Sequence, residues 1–161
     1  MATRATLLPE SAHFPTTNFP ASTVTNIRPV LWFDATTSET AYWTLVAPQG
    51  ITGTLTLVIT YLMASATTGG VAVDVAVEAV TSGDAVDLDA GTSFDAVNAA
   101  SDAAVPGTAG FMEQITVTLT NADSIQPADY VRISIARDVA DAADTATGDF
   151  GILLAEFRDA A

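Results

Sequence analysis

The chain has 161 residues, with five basic side chains against 19 acidic ones, a net charge of −14 and no cysteine. That length is one domain's worth, enough to bury about 70% of the surface its unfolded chain exposes. The composition excludes disulfides, thiolate metal centres and Cys nucleophiles, and the charge repels phosphate backbones and anionic lipid, so neither nucleic acid nor a membrane surface is an expected partner.

Residues 1–29 read as an extended N-terminal arm. Pro9, Pro15, Pro20 and Pro29 block helix and central strand there. His13, Phe14 and Phe19 are its candidate contact residues, since a purely solvated tail gains nothing from phenylalanines. Residues 30–161 read as one β-sandwich domain. Val30–Asp34 is a short apolar strand. Glu39–Ala47 alternates, with Ala41, Trp43, Leu45 and Ala47 on one face. Thr52–Met63 has the clearest period of two, Leu55, Leu57, Ile59, Tyr61 and Met63 opposing Thr54, Thr56, Val58 and Thr60. Thr67–Gly70 is a hairpin loop signal, and Val71–Thr81 alternates again.

The stretch 82–109 is rich in Ala, Asp, Gly and Ser and reads as a long loop with one short strand near Ser93–Val97. Phe111–Thr120 alternates, and Asn121–Ile125 reads as a short helical turn. Gln126-Pro127-Ala128-Asp129 is a β-turn with Pro127 at its second position and Asp129 closing it. Tyr130–Arg137 is a strand, Asp138–Asp149 an acidic loop, and Phe150–Arg158 the closing strand. About eight antiparallel strands without a long helix predict an all-β, two-sheet sandwich of jelly-roll type.

Catalytic equipment is sparse. Every basic residue is an arginine, so neither a Walker A loop nor a Schiff-base lysine is present. One histidine, His13, supports neither a His-clustered metal site nor a Ser-His-Asp triad. No apolar run reaches the roughly 18 residues of a membrane span, the N-terminus has no continuous apolar segment, and no signal peptide is expected. No Asn begins a glycosylation sequon.

The aspartates of the 138–149 loop lack EF-hand spacing. They read as turn caps, with one of them paired to Arg137. Asp84, Asp87, Asp89 and Asp95 read as a solvated loop. Among so many acids nothing marks one carboxylate pair as a glycosidase's. Trp32, Tyr42 and Trp43 form an aromatic group, Trp43 on the inward face. The expectation is therefore no catalytic residue, no metal and no cofactor.

The run Ile115–Leu119, Asn121, Asp123, Ile125, Pro127, Asp129, Val131, Arg132 and Ile133, then Arg137-Asp138, Asp141, Asp144-Thr145, Gly148-Asp149 and Ile152–Phe157, resembles a β-sandwich family of tailed-bacteriophage virion proteins. One departure is Ala128, where that pattern favours glycine; alanine argues against a positive-φ turn. The resemblance implies a non-enzymatic capsid decoration (cement) protein on the virion surface. Its partners would be the major capsid protein and, as a homotrimer, itself. A tail, baseplate or head-fibre component is the alternative, and a carbohydrate-binding module a further one. Pro127, Asp129, Arg137 and Asp144 then have architectural roles, with Arg137 bracing the acidic loop and Asp144-Thr145 forming an Asx-type turn.

Overall fold

A computed structural model describes residues 1–160. Ten strands follow one another: β1 (Ala2–Leu7), β2 (Ala21–Thr25), β3 (Arg28–Phe33), β4 (Glu39–Val46), β5 (Thr56–Met63), β6 (Gly70–Val80), β7 (Asn98–Ala104), β8 (Met112–Thr118), β9 (Tyr130–Arg137) and β10 (Phe150–Asp159), with a single 3-10 turn at Pro9–Ser11. They form two antiparallel sheets. One has the order β2-β3-β10-β5-β8, with β1 also on β10; the other is β4-β9-β6-β7. Across β3 to β10 the pairing is nested: β3 with β10, β4 with β9, β5 with β8, β6 with β7. A long hairpin of four strand pairs, rolled into two facing sheets, produces this order, which is that of a jelly roll.

The expected strands account for seven of these, β7 lies beyond the short strand expected at 93–97, and the segment 1–29 adds β1 and β2. Leu7 pairs opposite Ala155 and Thr23 opposite Val30, so the segment lies along its own sheet. Trp43, fully inside, donates its Nε1–H to the Leu8 carbonyl at 2.8 Å and ties the same segment to the core.

Alternation explains what is buried. Leu57, Ile59, Tyr61 and Met63 of β5 face Val71, Val73, Val75 and Val77 of β6, with Val131, Ile133 and Ile135 of β9 beside them. Each fully buried Val, Leu, Ile or Phe contributes about 1.5–3 kcal/mol. β10 needs a correction to its period. Phe150 and Ile152 point inward, and strict alternation would then bury Leu154 and Glu156. A register shift between Ile152 and Leu154 changes the phase, so Ala155 and Phe157 enter the core and Glu156 stays outside.

Two local expectations change. The strand expected at 93–97 begins at Asn98, whose side chain is buried and acts as a bracket: Nδ2 donates to the Val75 and Asn121 carbonyls at 3.2 and 2.8 Å, and Oδ1 accepts from Asn121 N–H at 2.9 Å. The turn at 121–125 is not right-handed helix, because Asp123 and Ser124 have φ of 51° and 53°.

Candidate functional site

The outer face of the four-stranded sheet is set by register. Thr44 of β4 lies opposite Arg132 of β9, and Arg132 lies opposite Glu78 of β6, so the three form one row on one face. On either side run the rows Tyr42, Ser134, Ala76 and Val46, Tyr130, Val80. The face carries polar and aromatic side chains where the opposite face is apolar throughout, with Ala41, Trp43, Val75, Val77, Ile133 and Ile135.

The loop between β6 and β7 completes the site. Ser93 donates its backbone N–H and its hydroxyl to Glu78 Oε1 at 2.6 and 3.0 Å, which anchors the loop to the sheet. Phe94 is thereby laid over Arg132, whose guanidinium carbon is 5.1 Å from the ring centre. The Tyr42 and Phe94 rings are 5.8 Å apart. From the other side, His13 and Tyr42 exchange backbone hydrogen bonds at 2.7 and 2.9 Å, which places Phe14 and Pro15 on the rim. The result is a shallow depression of about 540 Å³ lined by His13, Phe14, Pro15, Tyr42, Thr44, Thr92, Tyr130 and Arg132.

Its electrostatics rest on one pair. Glu78 has a wholly buried side chain, and its Oε2 accepts from Arg132 Nε. Burial pushes the Glu78 carboxyl up, but the hydrogen bonds from Arg132 and Ser93 outweigh it and hold the group below the ordinary glutamate value. The same bond raises Arg132. Nε is bound to Glu78, and Arg132 lines the depression. The arrangement offers ring faces, an oriented fork of N–H donors and a hydroxyl at Thr44, on a surface wide enough for a chain-like ligand.

The sequence-selected residues fall in three places. His13 and Phe14 are on the depression's rim, and Phe19 packs against Phe14 at 5.8 Å between ring centres. Pro127 and Asp129 belong to the β8–β9 connection. Asp129 is buried, its carboxylate accepting from Thr81 Oγ1 at 2.7 Å and from Gln126 N–H at 2.6 Å. Ala128 takes φ 74°, so the turn is of the positive-φ kind that its alanine had argued against.

Arg137 and Asp144 meet inside the fold at the far end of β9. Asp144 does not close an Asx turn: its carboxylate takes Arg137 and the Ala72 N–H instead. The Asx turns of this loop are made by Asp138 and Asp141, which accept from the N–H groups two residues on. Among the described residues no group of three His, Asp or Glu side chains could hold a metal ion.

The sequence reading missed Glu78, Phe94 and Tyr130 as a unit. Glu78 and Tyr130 stand on outward positions of their strands, and Phe94 in the 82–109 stretch, but only the β9–β6 register and the Ser93 anchor bring them together.

No protein-family model matches the chain, and no curated protein matches it. Solved structures do match. One is a complex of the module TmCBM61 with β-1,4-galactotriose, at 10% identity and a TM-score of 0.39, over 81% of this chain and 69% of that one. That structure is of a carbohydrate-binding module. The expectation of a capsid-decorating cement protein is corrected. The physical reason lies in the segment 1–29. The sequence makes it an extended arm with His13, Phe14 and Phe19 as contact residues, whereas β1 and β2 are strands of the chain's own sheet and the His13–Tyr42 bridge fixes the stretch between them.

Proposed function

We propose that the chain is a non-catalytic carbohydrate-binding domain whose site is the depression on the β4-β9-β6 face. The observation that carries this reading is the grouping of Tyr42, Phe94 and Tyr130 around an arginine whose orientation is fixed by Glu78. Sugars present apolar C–H faces and rings of hydroxyls. Aromatic side chains match the first with an amphipathic surface of low entropy cost, and a planar donor fork matches the second. Hydrolysis would require two carboxyl groups flanking the scissile bond. The lining carries neither Asp nor Glu, and Glu78 lies beneath it, bound to Arg132.

Sedimentation with insoluble polysaccharides, and calorimetric titration with soluble ones, tests the reading. The full chain is expected to bind at least one polysaccharide without releasing reducing ends. Tyr130→Ala is expected to weaken that binding about tenfold or more. Unaltered binding by Tyr130→Ala and by Tyr42→Ala would move the site elsewhere, and no binding to any glycan would end the proposal.

A further inference from the structure

We infer, on the footing of the glycan-binding reading, that the site takes uncharged polysaccharides and rejects those bearing carboxylates, and that Glu78 sets this choice. An arginine on a wet aromatic face is by itself a receptor for anions, because its planar fork matches a carboxylate. Here that capacity is cancelled from below. Glu78 stands opposite Arg132 across the β9–β6 ladder, with a side chain that is 0% exposed. It accepts from Arg132 Nε and from both donors of Ser93. The pair has no net charge, so the guanidinium presents donors without presenting a cation.

An acidic sugar cannot take over the arginine. Drawing Arg132 away would leave a buried carboxylate with its countercharge gone, which is strongly unfavourable. Approaching with Arg132 in place brings a second negative charge towards Glu78. The surroundings add to this. Tyr130 also borders the neighbouring hollow that contains Asp84, and the chain as a whole carries −14. Hydroxyl groups face neither penalty. They can accept from the Nη donors, and the Phe94 ring lies against the guanidinium, 5.1 Å from its carbon.

The test is native affinity electrophoresis of the full chain at pH 8 in gels containing either neutral polysaccharides (galactan, xylan, mixed-linkage glucan) or acidic ones (polygalacturonate, alginate), at low and high salt. Retardation by a neutral polysaccharide, little changed by salt, with none by the acidic pair, is the expected result. Stronger retardation by an acidic polysaccharide that salt abolishes overturns the inference and leaves the glycan-binding reading standing. Retardation by neither class overturns both. Glu78→Gln exposes the uncompensated arginine and is expected to gain salt-sensitive binding to polygalacturonate of about tenfold. A folded Glu78→Gln that gains none removes Glu78 as the determinant. Should that variant not fold, Glu78→Asp, which keeps the charge but draws it back from Arg132, is read in its place against the same two outcomes.

Discussion

Arg137 grips Asp144 with both Nε and Nη2, at 2.9 and 2.8 Å, and neither side chain sees solvent to more than 2%. The remaining donors are spent on the same loop, Nη1 on the Gly148 carbonyl at 2.8 Å and Nη2 also on that of Ala146 at 2.7 Å. One arginine at the end of β9 thus folds the 138–149 loop back on itself and delivers the chain to β10. Removing one partner of a buried pair costs about 3–5 kcal/mol, because the other is left charged and alone. Asp144→Ala is therefore expected to lower the thermal midpoint by roughly 10 °C or more for a domain of this size. Scanning calorimetry checks this; a fall of only a degree or two would show that the loop is held by its backbone turns instead.

Ala128 gives a prediction of opposite sign. Pro127 sets the turn's first central residue, and the ladder is continued on both sides of it by Ala128 N–H to the Ala47 carbonyl at 3.0 Å and Ala47 N–H to the Asp129 carbonyl at 2.9 Å. These bonds, with Asp129's carboxylate on Gln126 N–H, force φ to 74° at a residue whose Cβ resists it. Glycine at 128 relieves about 1–2 kcal/mol of that conflict and returns part of it as unfolded-chain entropy. Ala128→Gly is expected to raise stability by about 0.5–1 kcal/mol, read as a higher urea midpoint at unchanged slope.

The Ala128 case shows where sequence reading stops. The strands β5, β6, β8 and β9 were legible because Val, Ile and Leu recur at every second position and one face must be dry. The nested pairing is what chains of short antiparallel strands in two sheets commonly adopt, so the jelly roll was within reach. β7 was not: Asn98–Ala104 is small and polar, and its strand state comes from β6 and from the buried Asn98 bracket. β1 and β2 were hidden by their prolines, which stand between the two strands and at the edge of β3 and do not interrupt a ladder. The candidate site was the least legible part. Tyr42, Glu78, Phe94 and Arg132 are far apart in the chain, and only register and a loop anchored through Ser93 make them neighbours.

The Glu78–Arg132 pair gives the site a defined acid limit. The Glu78 carboxyl is held below its ordinary value of 4.5 in the fold, so the folded state favours the ionised form. Its stabilising contribution is present above that ordinary value and is lost as pH falls through the lowered one. Below about pH 4 wild type is expected to lose stability faster than Glu78→Gln, and the two curves should converge. At pH 7 wild type is the more stable. Urea midpoints between pH 7 and pH 3 check the convergence, and parallel curves would mean that the pair contributes no pH dependence.

Asp74 runs the other way. It sits on β6 with Ala136 and Ala99 as its ladder neighbours, and it faces the acidic loop. Burial, followed by the charges of Asp138 and Asp141, pushes its carboxyl up. A raised value means that the folded state prefers the protonated acid. The associated stability is present below the ordinary aspartate value and is lost as pH rises through the folded one, so at pH 7 the ionised group works against the fold. Asp74→Asn is thus expected to be more stable than wild type at pH 7, by roughly a few tenths of a kcal/mol because the carboxyl is partly solvated. The gain should shrink in high salt, where the repulsion from Asp138 and Asp141 is screened. At pH 3, with the acid protonated, the two proteins should have the same midpoint. A loss of stability at pH 7 would show instead that the carboxylate is satisfied by solvent and that its neighbours do not crowd it.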